Sequence, residues 1–405
     1  MSALPTLETL DVTGKTVLVR LDLNVPMQAG RVTDATRINR VVPTLQYLME
    51  RHAKVVILSH LGRPKGFDPA QSLAPLVDKL SSVMWDRPVK FSPDCIGPTA
   101  QLAVENAEAG DVILMENLRF HAAEEANDPA FAQAMAALGD CYVNDAFSCS
   151  HRAHASIVGL NPFMPSAAGR LMEEEVTALT KVLADPARPL TAIVGGSKVS
   201  TKLELLGNLV GKVDFLVIGG AMANTFLAAQ GIAMGASLCE HEMTATARDI
   251  LKAAEAKGCK IVLPVDAVVA KKFKAHAENV VCSVEKIPSD GMMLDVGPRS
   301  LLALQEVINN SKTLVWNGPV GAFETAPFDA TTVQIARMIA QASHEGKLHS
   351  VAGGGDTVAA LAHAGVSQQL SYLSTAGGAF LEWLEGKELP GLAALMTPHA
   401  DRKRA

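Results

Sequence analysis

The sequence lacks the cysteine patterns that indicate a metal centre or a disulfide framework. Its six cysteines are scattered, with no C-x-x-C pair and no spacing typical of zinc or iron–sulfur ligation. Isolated thiols of this kind are typical of a protein kept in a reducing compartment. We therefore expect buried, unpaired cysteines rather than disulfides.

Excess positive charge and long apolar runs are also absent. The formal net charge of −6 argues against nucleic acid or an anionic membrane as the main partner, although a local basic cluster can still bind a small anion. The N-terminal segment has neither a basic region nor an apolar core, so it does not resemble a secretory signal. The most apolar long stretch, 215–227, is interrupted by glycines and is shorter than the roughly 20 residues that cross a bilayer. These features predict a soluble, cytoplasmic protein.

Several catalytic and nucleotide-binding signatures are missing as well. The chain contains no G-x-G-x-x-G fingerprint, no G-x-x-x-x-G-K-[ST] loop and no G-x-S-x-G elbow. No cysteine lies beside a histidine in a way that suggests a thiolate pair. A standard dinucleotide site, a P-loop and a serine or cysteine nucleophile are therefore disfavoured. An NAD-dependent dehydrogenase, which the glycine content alone would suggest, is disfavoured by the same absence.

What the sequence does contain is a repeated strand–turn–helix pattern. The length of 405 residues and the 48% hydrophobic content suffice for two or three domains with large cores. Short apolar runs, each followed by a polar or glycine-rich turn and a helical stretch, occur at 55–58, 112–115, 141–143, 192–194, 215–218, 261–263, 313–316 and 349–352. This alternation predicts an α/β fold with doubly wound parallel sheets, in which ligands bind beyond the carboxyl ends of the strands.

A charged, helix-prone segment divides the chain into two similar halves. It covers 171–188, contains no turn glycine and ends near Pro186 and Pro189. Each half contains several strand–turn–helix units. We therefore expect a first domain over 1–170, an interdomain helix over 171–188 and a second domain over 189–388.

One predicted strand of the first half carries polar residues on one face. In Val17–Pro26 the apolar residues alternate with Arg20, Asp22 and Asn24, whereas the next predicted strand, 55–58, is apolar on both faces. The simplest interpretation is an outer strand whose polar face is exposed to solvent. Because Asp22 and Asn24 lie near the carboxyl end, however, we expect them to face a ligand, with Arg20 as a deeper structural counter-ion.

Cations follow the other predicted strands of the first half. Any single arginine or histidine of this kind is usually a solvated surface residue, but the fold brings equivalent strand ends together. Five such residues predict a small, multiply anionic ligand, because arginine suits bidentate contacts to carboxylate and phosphate. They are Arg37, His60, Arg63, Arg119 and Arg152. His60 and His151 have no partner at metal-ligand spacing in the sequence, so we expect them to form hydrogen bonds.

Glycine-rich turns follow the strands of the second half. They occur at 195–198, 219–221 and 353–357, where an ordinary tight turn and an anion-binding helix N-terminus are both possible. Lys198 and Lys202 are four residues apart at a predicted helix start, so we expect both to project to one side. Asp356 is either a helix N-cap, a ligand of Mg²⁺, or both. A basic site in one half and a glycine-rich site in the other suggest phosphoryl transfer between two bound anions.

Eight motifs in this order resemble the phosphoglycerate kinase family over essentially the whole chain. They are RLDLNVP (20–26), SHLGRP (59–64), ENLRF (116–120), VNDAF…HRAH (143–154), GGSKVSTK (195–202), IGGAMANTF (218–226), WNGPVGAFE (316–324) and GGGDT (353–357). The resemblance implies two Rossmann-like domains joined by a hinge. It also implies a monomer that transfers a phosphoryl group reversibly between 1,3-bisphosphoglycerate with ADP and 3-phosphoglycerate with ATP, with Mg²⁺.

The resemblance also assigns residues to the two ligands. The residues expected to bind the glycerate ligand are Asp22, Leu23, Asn24, Arg37, His60, Leu61, Gly62, Arg63, Arg119 and Arg152. Those expected to bind the nucleotide are Lys198, Lys202, Gly219, Gly220, Glu324, Gly353, Gly354, Gly355, Asp356 and Thr357, with Asp356 as the metal ligand. The last segment, 389–405, is expected to belong to the first domain.

In the direction that consumes ATP, the nucleophile is a carboxylate that is already ionised, so no general base is required. We expect Arg37 and Lys198 to neutralise the transferring group after hinge closure. The alternatives are a kinase for another small anionic acid and a silent nucleotide-binding scaffold. The second alternative would require the loss of Arg37, Lys202 or Asp356, and all three are present.

Two positions depart from the family pattern. A glycine triplet that is usual near the end reads Thr375-Ala-Gly-Gly378, so a positive φ at Ala376 would cost about 1 kcal/mol. In addition, Ser148-Cys149-Ser150 replaces a commoner Gly-Thr-Ala. Because the neighbouring Arg152 is present, we expect this second change to leave activity intact.

Overall fold

A computed structural model describes residues 4–184 and 186–397, and these fall into two compact α/β units. The first unit runs to Thr177 and resumes at Glu388, and the second covers Ala178–Lys387. The division falls inside one helix, Arg170–Leu183, rather than at either of its ends. Residues 398–405 of the expected C-terminal segment lie outside the described residues.

The first unit is built on a six-stranded parallel sheet. Its strands are β1 (Thr16–Leu21), β2 (Met27–Gln28), β3 (Arg31–Val32), β4 (Lys54–Leu58), β5 (Val89–Ser92), β6 (Val112–Met115), β7 (Cys141–Asp145) and β8 (Ser166–Ala168). The sheet order is β5-β6-β4-β1-β7-β8, and β2 and β3 form a separate antiparallel ribbon. The helices are α1 (Thr36–Glu50), α2 (Val77–Val83), α3 (Gly97–Glu105), α4 (Ala122–Glu125), α5 (Pro129–Ala136) and α6 (Arg170–Leu183), of which α6 continues into the second unit.

Strand β1 lies in the middle of this sheet, between β4 and β7. Val17, Val19 and Leu21 pack into the core on one face, and Leu18 packs into a second core on the other. Arg20 is only 1% exposed and Asp22 only 7%. The alternation in this segment therefore does not mark a water-facing strand, because an inner strand has helices on both faces.

The second unit contains another six-stranded parallel sheet. Its strands are β9 (Leu190–Val194), β10 (Phe215–Ile218), β11 (Lys260–Val262), β12 (Asp266–Ala270), β13 (Asn279–Ser283), β14 (Met292–Val296), β15 (Thr313–Asn317), β16 (His349–Gly353) and β17 (Tyr372–Ser374). The parallel order is β11-β10-β9-β15-β16-β17. The helices are α7 (Leu203–Leu209), α8 (Gly220–Ala229), α9 (Thr244–Ala256), α10 (Pro298–Asn310), α11 (Ala330–His344), α12 (Gly355–His363) and α13 (Gly378–Leu384). The predicted α/β class with two parallel sheets is confirmed.

Three further features concern an additional sheet of the second unit, the glycine turn at 375–378 and the C-terminal helix. Strands β13, β12 and β14 form an additional antiparallel sheet. The positive φ in the departing glycine turn is at Gly377 (+53°), and Ala376 is not among the residues with positive φ, so the expected strain does not arise. A last helix, α14 (Pro390–Met396), packs against the first unit, where the Gly391 N–H donates to the Ser150 carbonyl at 2.9 Å. Within the described residues, no helix is both long and apolar enough to span a bilayer.

Candidate active site

The segment that follows β1 places a carboxylate beside an arginine. Asp22 Oδ2 accepts a hydrogen bond from Arg37 Nη1 at 2.7 Å, and the same nitrogen donates to the Asn24 carbonyl at 3.1 Å. Arg37 lies in the first turn of α1, which begins at Thr36. The Asp22 side chain is 10% exposed and that of Arg37 34%. The pair therefore joins the carboxyl end of one strand to the N-terminal turn of the next helix, with the arginine still accessible.

Asn24 connects this segment to the loop after β4. Its Oδ1 accepts from the Gly62 N–H at 2.9 Å, which leaves Nδ2 as the side-chain donor. Gly62 has φ +64°, and a Cβ there would lie 1.9 Å from Gln71 Oε1. The Leu23 N–H donates to Ser59 Oγ at 3.1 Å, and Leu61 is held through its carbonyl by Asn117 at 2.8 Å. Side-chain-to-backbone hydrogen bonds thus hold the loop at Leu61 and Gly62, and the positive φ at Gly62 favours glycine there.

His60 lies in a strongly basic, buried environment. Burial, followed by the charges of Arg20, Arg119, Arg152 and Arg37, lowers the pKa of His60 well below its usual range. Arg20 Nη2 lies 3.0 Å from His60 Nδ1, and arginine can only donate. His60 is therefore neutral, with its proton on Nε2, and Nε2–H is available as a hydrogen-bond donor.

The environment of His60 also corrects one expectation. The fold places ligand atoms of Asp22, His60 and Cys149 within 4.8 Å of one another, so metal-ligating partners that are distant in sequence do surround this histidine. Sequence spacing alone does not reveal these partners, because they come from three separate segments of the chain. The hydrogen-bonding role remains the better one, because the surrounding arginines repel a cation and Nδ1 already accepts from Arg20.

The remaining predicted cations of the first unit differ in how firmly they are held. Arg119 is 6% exposed, donates to the Gly62 carbonyl at 2.6 Å and pairs with Glu125 at 3.2 Å. Burial lowers the pKa of Arg119, opposed by Glu125. Arg152 is half-buried and donates from Nε to His151 Nε2 at 3.0 Å, whereas Arg63 is exposed. Arg119 is thus the most firmly oriented of the three.

In the second unit, the two lysines of the GGSKVSTK loop occupy different environments. Helix α7 begins only at Leu203, so Lys198 lies in the preceding turn and Lys202 at the N-cap. The expectation that both project from one helix face is wrong. Lys198 is exposed, whereas Lys202 Nζ donates to the Gly195 carbonyl at 2.7 Å and to Asn317 Oδ1 at 2.6 Å. Burial lowers the pKa of Lys202 to about 8, opposed by the charge of Asp356.

The glycine turns bring backbone close to this loop. Gly219 is the N-cap of α8 and Gly220 is its first residue, with φ +64°. A Cβ on Gly219 would lie 2.7 Å from Val320.

The turn before α12 is also built on glycine. Gly354 (φ +96°) caps α12, so the proposal that Asp356 caps that helix is wrong. Gly353 ends β16, Gly355 begins α12, and Thr357 Oγ1 accepts from the Gly318 N–H at 2.7 Å. Asp356 itself is exposed in the first turn of α12.

A cavity of about 600 Å³ opens beside these turns within the second unit. Such a volume is typical of a small-molecule site. Gly220, Glu324 and Asp356 of the predicted nucleotide set line it, together with the exposed apolar side chains of Leu238 and Phe273. Lys198, Lys202, Gly219, Thr357 and the glycines at 353–355 are not part of its wall. Of these, Lys202 interacts electrostatically with Asp356, a residue of the cavity wall whose charge raises the pKa of the lysine.

Three residues of these sites were not predicted. Ser148 donates to Asp22 Oδ2 from a 3₁₀ turn after β7. Asn317 holds Lys202, and Glu240 accepts from both the N–H (3.0 Å) and the hydroxyl of Ser200 in the lysine loop. The sequence does carry a signal for Asn317 as a site residue, since it lies inside the WNGPVGAFE motif. Glu240 carries no sequence signal, because it acts through a contact 40 residues away.

Comparisons with known proteins agree on one family. The family model described as phosphoglycerate kinase matches residues 7–387. The phosphoglycerate kinase of Xanthobacter flavus is 60% identical over 388 residues, which cover 96% of this chain and 98% of that protein. The phosphoglycerate kinase of Methylorubrum extorquens (strain PA1) is 60% identical over 383 residues, which cover 94% and 96% of the two chains.

Solved structures give the same result. The phosphoglycerate kinase of Coxiella burnetii has a TM-score of 0.89 at 42% identity, covering 97% of this chain and 99% of that one. The phosphoglycerate kinase of Pyrococcus horikoshii OT3 has a TM-score of 0.81 at 30% identity, covering 96% and 98%.

Proposed function

Because the chain belongs to the phosphoglycerate kinase family, we propose a residue-level account of the reaction that this family catalyses. The chain is a kinase that transfers a phosphoryl group reversibly between 1,3-bisphosphoglycerate and ADP, giving 3-phosphoglycerate and ATP. The observation that carries our assignment is that two residue sets suited to anions lie at carboxyl ends of strands, one set in each unit.

The set in the first unit binds the glycerate ligand. Arg37, Arg63, Arg119 and Arg152 supply positive charge for its carboxylate and phosphate groups. Asp22 accepts from the substrate hydroxyl, while Asn24 Nδ2 and His60 Nε2 donate to the ligand. Because His60 is neutral, its hydrogen bond does not depend on protonation near pH 7. Leu23, Leu61 and Gly62 shape the site through their backbone, which Ser59, Asn117 and Asn24 hold in place.

The set in the second unit binds ADP or ATP. The cavity lined by Leu238 and Phe273 offers apolar surface for the base. Glu324 also lines this cavity and accepts a hydrogen bond from a hydroxyl group of the nucleotide. Gly219, Gly220 and the turn 353–357 bring the N-termini of α8 and α12 to the phosphates, where backbone N–H groups favour negative charge. Lys198 and Lys202 add two cations.

Asp356 is the residue that we assign to Mg²⁺. Its exposed carboxylate lines the cavity beside the phosphate-binding turns, and Mg²⁺ prefers carboxylate oxygens together with phosphate oxygens. The donor set therefore fits the ion. When bound, Mg²⁺ neutralises charge on the nucleotide phosphates.

Catalysis requires charge neutralisation rather than a general base, because the acceptor is an ionised carboxylate. We assign this role to Arg37 of the first unit and Lys198 of the second, which hinge closure, the mechanism of the family, brings to the same phosphoryl group. Lys198 is exposed in the structure and makes its catalytic contact only when both substrates are bound.

The cellular setting is also a proposal. All six cysteines are free thiols, which agrees with a reducing cytoplasm. A monomer is the state that the family resemblance implies, and size-exclusion chromatography with light scattering would test it against the mass of 42.7 kDa.

A coupled assay with 3-phosphoglycerate and ATP, with and without Mg²⁺, tests the assignment. We expect Mg²⁺-dependent formation of ADP with 3-phosphoglycerate, and little with other small anionic acids such as glycerate or acetate. Turnover that is faster with another acid, or equal without a divalent ion, would overturn it.

A further inference from the structure

Ser148 contacts the carboxylate that we assign to the substrate hydroxyl. It lies in the 3₁₀ turn Phe147–Cys149 after β7, and its hydroxyl donates to Asp22 Oδ2. This is the oxygen that also accepts from Arg37 Nη1 at 2.7 Å. We propose that Ser148 is a positioning residue: it fixes the orientation of Asp22 and so sharpens recognition of the hydroxyl group of the acceptor acid. The inference rests on the proposed role of Asp22.

The acceptor capacity of Asp22 explains how this works. Each carboxylate oxygen accepts about two hydrogen bonds. Arg37 and Ser148 together fill Oδ2, while among the described residues Oδ1 accepts only the Asn24 N–H, at 3.1 Å. The remaining acceptor position on Oδ1 is left for a ligand hydroxyl. Without Ser148, Oδ2 would regain an open position, and the carboxylate could offer either oxygen to the ligand.

The surroundings leave Ser148 few other partners. The Cys149 sulfur lies 3.9 Å from its hydroxyl and 3.8 Å from Arg20 Nη2. Burial raises the pKa of the Cys149 thiol, so the sulfur stays protonated and is a weak acceptor. Asp22 is therefore the strong acceptor for the Ser148 hydroxyl. A glycine, the commoner residue of the family at this position, could not make this contact.

The experiment compares variants with two acceptor acids under saturating ATP and Mg²⁺. One acid is 3-phosphoglycerate, and the other is 3-phosphonooxypropanoate, which lacks the 2-hydroxyl group. For Ser148→Ala and Ser148→Gly, we expect the KM for 3-phosphoglycerate to rise three- to tenfold. We expect kcat to fall less than twofold and the KM for ATP to stay the same. The KM for the deoxy acid should not change, and Ser148→Thr should recover most of the loss.

Ser166→Ala is the matched control. Ser166 is half-buried in the same unit and donates to the Met164 carbonyl at 2.9 Å, so its loss removes one hydrogen bond outside the site. Its KM values should equal those of the wild type. An unchanged or lower KM for 3-phosphoglycerate in both Ser148→Ala and Ser148→Gly would overturn the inference. So would an equal rise with the deoxy acid, because the effect would then be independent of the hydroxyl.

Asp22→Asn separates this inference from the function on which it rests. A KM for 3-phosphoglycerate that is unchanged in Asp22→Asn would overturn the assignment of Asp22 itself. If Asp22→Asn raises that KM more than tenfold while the Ser148 variants do not, only the role of Ser148 is refuted. Both effects together, with no further rise in the double variant, support both assignments.

Discussion

Arg37 Nη1 donates to Asp22 Oδ2 at 2.7 Å and to the Asn24 carbonyl at 3.1 Å, so one nitrogen of a half-exposed arginine is fully used. The remaining guanidinium N–H groups can face an anionic ligand without losing this anchor. The pair also places a positive charge next to the acid that we assign to the substrate hydroxyl. Arg37 is thus both oriented and available.

Replacing Arg37 should therefore impair catalysis strongly. We expect Arg37→Ala to lower kcat/KM for 3-phosphoglycerate by about 10²-fold or more, the effect of removing one charged transition-state contact. Arg37→Lys should recover only part of the loss, because lysine lacks the bidentate fork. Steady-state kinetics would measure both. Arg31→Ala is the control, since Arg31 is exposed on β3, and an equal loss in that variant would contradict the assignment.

Lys198 gives a second test, on the nucleotide side. It is exposed, so its removal should not disturb the fold. We expect Lys198→Ala to lower kcat by about 10²-fold while the Kd for ADP changes less, because the contact forms mainly in the transition state. The exposed Lys252 of α9 serves as the control, as Lys252→Ala. Near-normal turnover in Lys198→Ala would show that Lys198 has no catalytic role.

Lys202 should make nucleotide binding depend on pH. Its pKa is lowered to about 8 by burial, so in the free protein it loses its charge as the pH rises through that value. We expect the KM for ATP to increase between about pH 8 and 10 in the wild type. In Lys202→Arg this increase should be absent, because arginine remains charged. A wild-type KM that is flat across this range would contradict the burial argument.

Asp295, which lines the cavity, should affect stability with a predictable sign. Burial raises its pKa to about 7, despite hydrogen bonds from the N–H groups of Thr331 and Val296. Between the unfolded pKa near 3.9 and about 7, the folded state binds more protons than the unfolded state. The contribution of Asp295 to the free energy of unfolding therefore decreases as the pH rises, by at most about 1.4 kcal/mol per pH unit.

Urea unfolding of the wild type and Asp295→Asn at several pH values would measure this. The free energy of unfolding of the wild type, relative to the variant, should fall from about pH 4 to 7 and level off above that range. A difference that stays constant or increases with pH would contradict the raised pKa.

If Asp356 is a ligand of Mg²⁺, its replacement should change the Mg²⁺ requirement of the enzyme. We expect Asp356→Asn to raise the Mg²⁺ concentration for half-maximal activity about tenfold, because a charged ligand is replaced by a neutral one. Asp249→Ala, at an exposed position on α9, should leave that concentration unchanged. A Mg²⁺ titration with the same midpoint in Asp356→Asn and wild type would exclude Asp356 as the ligand.

The sequence predicted the α/β class and the strand ends at which the candidate residues lie, because apolar runs and glycine turns are local signals. It failed where contacts are distant or backbone geometry decides. The sequence spacing of Lys198 and Lys202 suggested one helix face, but the helix starts only after both. The Ser148–Asp22 contact joins residues 126 positions apart, so no local pattern reveals it. The antiparallel sheet of β12, β13 and β14 was not predicted, because its strands lie in sequence between strands of the parallel sheet and carry no separate signal.

Above all, we expect the acid and the nucleotide to bind to separate residue sets in the two units. Isothermal titration calorimetry of Arg37→Ala and Lys202→Ala, each with 3-phosphoglycerate alone and with Mg²⁺–ADP alone, tests it directly. We predict that Arg37→Ala weakens 3-phosphoglycerate binding at least tenfold and leaves the Kd for ADP within twofold, and that Lys202→Ala does the reverse. If either variant weakened both ligands equally, or weakened only the ligand assigned to the other unit, the claim would be wrong.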